Sequence, residues 1–164
     1  MATDQTKTRS RRGLVAIVGA VAATALLAFT PAQEGRALKT YRDIGGVLTY
    51  CDGATEHAQA GKTYTPAECD AQLDRDLARH AEGIEPCLPW HRLTDGQKIA
   101  FVDAAFNIGV PAFCGSSMAR RASAGDMTGA CDALLMWNRV GGKEVLGLTR
   151  RRQRERELCL KGAS

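Results

Sequence analysis

EGRALKTYRDIGGVLTYCDG, residues 34–53, is where this chain passes from helical to strand periodicity. Pro31 is expected to end an apolar helix upstream, and Gln33-Glu34-Gly35 opens a short amphipathic one through Tyr41, with Ala37, Leu38 and Tyr41 as its inward positions. Asp43-Ile44-Gly45-Gly46 reads as a turn, Val47 to Tyr50 as a strand, and Asp52-Gly53 as a second turn. A small β-hairpin region is therefore expected near residues 43–62.

Downstream, the pattern is helical. Thr65-Pro66-Ala67-Glu68 is a capping box with proline in the first turn. The helix it opens carries Leu73, Leu77 and Ile84 as an apolar stripe, with Asp70, Asp74, Arg75 and Asp76 expected to face water. Pro86-Cys87-Leu88-Pro89 breaks it. Thr94-x-x-Gln97 caps the next helix, whose Ile99, Ala100, Phe101, Ala104, Ala105 and Phe106 mark it as the central core element, ending at Asn107-Ile108-Gly109. Shorter helices are expected over 116–123 and 126–138, and a final basic helix over 143–160, after Gly141-Gly142. The fold class is α+β: a mostly helical domain with one small sheet in its first half.

Upstream lies GLVAIVGAVAATALLAFT, residues 13–30, eighteen residues without a charge. As one helix it spans about 27 Å, barely the hydrocarbon core of a bilayer. Lys7, Arg9, Arg11 and Arg12 precede it and keep the N-terminus cytoplasmic by the positive-inside rule. More than half of the segment is Ala, Gly or Thr, so lipid holds it weakly. An uncleaved, weakly held anchor over residues 13–31 is expected rather than a cleaved signal peptide, because the apolar run is long and Pro31 is awkward at a cleavage site. The expected organisation is a basic cytoplasmic N-terminus (1–12), the anchor (13–31) and one domain (32–164).

The formal net charge is +4, of which the first twelve residues carry most. The body is not strongly basic, and nucleic acid is excluded as a first partner. Cys51, Cys69, Cys87, Cys114, Cys131 and Cys159 all follow the apolar run, as befits disulfides in an oxidising compartment. No two stand at the close spacing of structural zinc sites. His57, His80 and His91 are isolated and read as surface or capping residues.

Glu34, Asp43 and Thr49 carry the chemistry. Glycosidic hydrolysis takes a protonated acid at the leaving oxygen and a second group across the anomeric carbon. Glu34 in partly apolar surroundings and an ionised Asp43 suit those parts, and the Thr49 hydroxyl suits a water beside Asp43. Two carboxylates nine residues apart are a weak signal by themselves.

The whole pattern E-G-x5-Y-x-D-x2-G-x3-T, here Glu34-Gly35, Tyr41, Asp43, Gly46 and Thr49, resembles the catalytic signature of phage-type lysozymes, glycoside hydrolase family 24. The likeness extends through Phe106-Asn107-Ile108-Gly109, Phe113-Cys114-Gly115-Ser116-Ser117, Ala124-Gly125-Asp126, Trp137 with Gly141-Gly142-Lys143, and Gly147 to Arg152, covering about residues 33–160. It implies a lysozyme-like fold, with Glu34 as general acid, Asp43 as second carboxylate and Thr49 as the water-positioning hydroxyl. Phe106 and Ser116 match sugar-cleft positions, and Arg150 or Arg151 would pair with Glu34. Apart from Asp43 and Thr49, nothing separates hydrolysis from lytic transglycosylation of the same bond, and a non-catalytic wall-binding module is the alternative of another class.

The N-terminal run further resembles signal-anchor-release endolysins of this family. Glu34 lies four residues past Thr30, at most about 13 Å of extended chain, so an inserted anchor holds it at the headgroups. Release and refolding are the implied switch; thiol exchange is not, because the run contains no cysteine. The implied partners are bacterial peptidoglycan and, before release to the periplasm, the host inner membrane. A monomer with no metal or organic cofactor is expected. The suggested pairing is Cys51–Cys69, Cys87–Cys114 and Cys131–Cys159.

Overall fold

The computed structural model describes residues 12–161; Lys7, Arg9 and Arg11 of the expected cytoplasmic N-terminus lie outside the described residues. The chain runs α1 (Leu14–Val18), α2 (Ala20–Glu34), β1 (Ala37–Arg42), β2 (Leu48–Cys51), α3 (Pro66–Ile84), α4 (Asp95–Ile108), α5 (Val110–Cys114), α6 (Ser117–Ser123), α7 (Met127–Ala133), β3 (Arg139–Val140), β4 (Lys143–Glu144) and α8 (Leu146–Lys161). It is mostly helical, with two small antiparallel hairpins, as the α+β reading expects.

Helix α4 is the axis of the core. Thr94 and Gln97 close a reciprocal capping box at its start, and Ala100, Phe101, Val102, Ala104 and Ala105 have no exposed surface. Helices α2, α3 and α8 pack around it. The Thr65 capping box likewise starts α3, and Leu73, Leu77 and Ile84 of α3 are buried. Asp76 departs from the expectation. It is buried, accepts from Gln72 Nε2 at 3.1 Å and pairs with Arg79 at 2.8 Å, because a helix packed on several neighbours keeps no face wholly in water.

The apolar N-terminal run does not form one long helix here. Gly19, at φ +89°, turns the chain between α1 and α2, and both helices join the core through Leu14, Ile17, Val18, Ala22, Ala23 and Leu26. Among the described residues no helix is long and apolar enough to cross a membrane. Trp90 Nε1 donates to the Ile17 carbonyl at 3.2 Å, and Arg12 pairs with Glu82 at 3.2 Å and with Glu85. Pro31 was expected to end the helix but sits inside α2, which continues to Glu34. Its last turn is held from outside, by Thr30 on Asp103, Glu34 on Arg151 and Gln33 on Arg154.

The helix expected over 33–41 is a second correction. Gly35 at φ +75° stops α2, and the next residues form β1, paired antiparallel with β2 through Ala37–Cys51, Tyr41–Thr49 and Arg42–Leu48. Leu38 and Tyr41, expected inward, are exposed, while Thr40 faces in. Thr, Tyr and Leu suit a half-buried pleated surface, and pairing with β2 outweighed the weak helical pattern. The expected helix over 126–138 stops at Ala133 and continues as a 3-10 turn, Leu134–Met136; the last helix begins at Leu146, because Lys143–Glu144 is taken by the β3–β4 hairpin.

The six cysteines form Cys51–Cys69, Cys87–Cys114 and Cys131–Cys159, the suggested pairing, which leaves none for zinc. They tie β2 to α3, the turn after α3 to α5, and α7 to α8. Closing loops of this length contributes about 3 kcal/mol each by constraining the unfolded chain.

Helices α4 and α8 approach closely at Gly96, where an added Cβ would stand 2.2 Å from the Leu158 carbonyl oxygen. Backbone cannot yield as a side-chain tip can. Gly96→Ala should therefore destabilise the fold by about 2 kcal/mol in urea unfolding; an unchanged midpoint would contradict this packing.

Candidate active site

Glu34 is the last residue of α2, where Gly35 turns the backbone away and frees the carboxylate to project from the helix end. Its side chain is 24% exposed. It lines a cleft of about 270 Å³ together with Asp52, Glu56, Asp76, Arg79, His80 and Phe106. The floor comes from α3 and α4, and the facing wall is the loop after β2.

Arg151 of α8 binds the Glu34 carboxylate through Nη1. Its Nε and Nη2 lie 2.9 and 3.0 Å from the two carboxylate oxygens of Asp103. Thr30 Oγ1 donates to Asp103 Oδ1 at 2.8 Å. Asp103 and Arg151 are buried, as are Arg152 and Glu155, which lie 3.1 Å apart. Burial holds the Glu155 carboxyl well above the usual carboxylate range. Of the two arginines offered as partners of Glu34, Arg151 is the one that touches it; Arg150 is exposed.

Asp43 and Thr49 belong to the β1–β2 hairpin. Asp43 is exposed in the turn, and its Oδ1 accepts from the Val47 amide at 2.9 Å. Thr49 is buried on β2, and its hydroxyl donates to the Val47 carbonyl at 3.1 Å. The two side chains thus bond the amide and the carbonyl of one residue. Neither lines the cleft that holds Glu34. Phe106 does line it, with its ring 5.2 Å from that of His80. Ser116 instead caps α6: buried, it accepts from the Ala119 amide at 3.4 Å and donates to the Phe113 carbonyl at 2.6 Å.

Sequence reasoning passed over Thr30, Asp103, Asp52 and Arg79, and it read His80, which is half-buried in the cleft wall, as a surface or capping residue. A signal existed for Asp103: it is the only charge between Ile99 and Ile108, in the helix read as central core. Asp52 is buried against Arg36 at 2.8 Å, and Arg79 spans from Asp76 of α3 to Glu56 of the opposite wall, at 2.8 Å to each. Among the described residues no group of three or more His, Cys, Asp or Glu side chains is placed to hold a metal ion.

The phage lysozyme family model matches residues 31–155. A SAR-endolysin of Enterobacteria phage P21 is 38% identical over 159 residues, covering 93% of this chain and 96% of that protein. Among solved structures, the active form of P1 phage endolysin Lyz superposes with a TM-score of 0.79 at 25% identity, covering 92% of this chain and 93% of the other. The muramidase domain of SpmX from Asticaccaulis excentricus gives 0.77 at 30% identity, covering 83% and 95%.

His80, half-buried in the cleft wall with Nδ1 2.6 Å from the Asp76 carbonyl, has its pKa lowered by burial. The folded state therefore prefers neutral imidazole. Its contribution to stability is intact above the unfolded pKa of about 6.5 and is lost as pH falls below it toward the folded value. In urea unfolding at pH 7.5, 6.5 and 5.5, the gap between wild type and His80→Gln should shrink as pH falls. A constant gap would contradict a neutral His80.

Proposed function

Because the chain belongs to the phage lysozyme family, we propose that Glu34 is the proton donor of its muramidase reaction, with Asp43 as second carboxylate and Thr49 as water holder. The enzyme is a lysozyme-type glycosidase. It hydrolyses the β-1,4 bond between N-acetylmuramic acid and N-acetylglucosamine in peptidoglycan, and serves host lysis. The observation that carries the assignment of the donor is the placement of Glu34: a carboxyl at a helix end, part-buried, opening on a cleft beside Phe106 and gripped by Arg151.

In this reading the sugar lies along the cleft over Phe106, and Glu34 delivers its proton to the glycosidic oxygen. Positive charge then develops at the anomeric carbon, where the ionised Asp43 stabilises it. The Thr49 hydroxyl, whose proton goes to the Val47 carbonyl, accepts from the attacking water. The β1–β2 register shifts between Ala37 and Tyr41, an irregularity of the kind that bends a strand, and the reading requires the hairpin turn to close on the cleft when sugar is bound. No cofactor takes part.

The membrane stage belongs to the same proposal. Residues 1–12 remain cytoplasmic, residues 13–31 hold the protein in the host inner membrane, and 32–164 form the catalytic domain in the periplasm. The uncharged run and the SAR-endolysin relatives support this. The described fold then represents the released monomer, in which α1 and α2 have exchanged lipid for the core. The exchange costs little because Ala, Gly and Thr lose little on leaving lipid, while Leu14, Val18 and Leu26 find equally apolar surroundings.

Glu34→Gln retains an amide oxygen for Arg151, so folding and wall binding should survive. Hydrolysis of purified peptidoglycan should fall by at least about a hundred-fold, and Asp43→Asn should also lose activity. Wild-type products should carry reducing ends in mass spectrometry of muropeptides. Persistent clearing by Glu34→Gln would refute the proton donor; anhydromuramic products would refute hydrolysis.

A further inference from the structure

Asp103 is wholly buried in the middle of α4, and no step above uses it. A carboxylate in such a place is costly unless fully paired, and three donors meet it. Thr30 Oγ1 and Arg151 Nη2 share Oδ1, at 2.8 and 3.0 Å, and Arg151 Nε takes Oδ2 at 2.9 Å. The remaining Arg151 Nη2 contact, at 3.4 Å, goes to the carbonyl of Asp103 itself.

The geometry of a guanidinium makes this arrangement informative. Its five N–H donors lie in one plane in a rigid fork. Once Nε and Nη2 are fixed on one carboxylate, the direction of Nη1 is fixed too, and here it points to Glu34. Thr30 precedes Glu34 by four residues on α2, so both lie on one face of the helix, one turn apart. Asp103 thus holds the mount of Glu34 at two points: the helix through Thr30 and the counter-charge through Arg151.

We propose that Asp103 is the positioning residue for the proton donor, setting the Glu34 carboxyl at the cleft by fixing both Arg151 and the last turns of α2. It also answers the charge of Arg151, which otherwise falls on Glu34 and Glu155. The surrounding groups are Arg152 and Glu155 of α8, Asn107 of α4, and, across the cleft, Asp52, Asp76, Arg79 and His80. Glu155 stands 3.4 Å from Arg151 Nε, whereas Asp103 places both carboxylate oxygens on the Arg151 fork at 2.9 and 3.0 Å and is the closer counter-charge. The proposal rests on Glu34 being the acid.

The test is steady-state kinetics of Asp103→Asn on soluble peptidoglycan oligomers across pH, beside Glu34→Gln and, as a core control on the same helix, Ile99→Val. Asparagine preserves the size and the acceptor for Thr30 but not the charge. The expected result is kcat lowered at least about ten-fold with KM within about two-fold, and the alkaline limb of kcat moved down by about one pH unit. Ile99→Val should keep the wild-type pH profile. A folded Asp103→Asn with wild-type kcat and pH profile would overturn the proposal, as would a kcat loss with no movement of the alkaline limb. Should Asp103→Asn fail to fold, Thr30→Val carries the test: kcat several-fold lower at unchanged KM supports the mount, and wild-type kcat overturns it. If Glu34→Gln itself retains hydrolysis, the proton-donor reading fails instead; if it is inactive while Asp103→Asn is normal, only the role of Asp103 falls.

Discussion

One buried guanidinium ties the end of α2, which presents Glu34 to the cleft, to α4 and α8. Arg151 comes from α8, its fork closes on Asp103 of α4, and its free Nη1 reaches Glu34 at the end of α2. Burying this many charges is not a gain in stability by itself, since desolvation offsets much of the attraction. What it yields is geometry. An apolar contact in that place would fix a distance between helices, whereas the fork fixes a direction as well. Glu34 then faces the cleft because three separate elements have docked.

That arrangement ties the N-terminal run to the chemistry. Residues of the run fill the core beside α3 and α4, and Glu34 follows directly on the helix they form. The same side chains suit two surroundings. Small and apolar, they tolerate lipid without being held strongly, and they pack closely against the small residues of α4. Gly19 lets the run bend into two helices, a shape that packs on a globular core but does not span a bilayer. Of the run's two hydroxyls, Thr24 is exposed and Thr30 is buried, where it finds Asp103.

Much of this was legible in the sequence because local rules agreed with the fold. Both capping boxes set their helices where expected, and the apolar density of α4 announced the core. The glycosidase signature named Glu34, and the basic last helix narrowed its partner to two arginines. Errors fell where tertiary pairing outweighs local pattern. Residues 37–42 carry both a helical stripe and strand-forming side chains, and only pairing with β2 decides between them. Pro31 looked like a stop because the contacts that continue α2 come from residues more than seventy positions away. Asp103 went unread because a lone acid in an apolar helix has no meaning until Arg151, distant in sequence, is placed beside it. Asp76 was taken for a solvated charge for the same reason.

The central claim is that docking of α2 assembles the proton donor. Hydrogen-exchange mass spectrometry of Leu26→Asp, followed in parallel with peptidoglycan hydrolysis, tests it most directly, because Leu26 is wholly buried on the face that α2 turns to the core. Exchange protection should be lost over residues 20–34 while α4 and α8 stay protected, and hydrolysis should fall at least about a hundred-fold, the scale of a lost general acid. Wild-type hydrolysis with residues 20–34 freely exchanging would show that the acid works without its mount, and the account would be wrong.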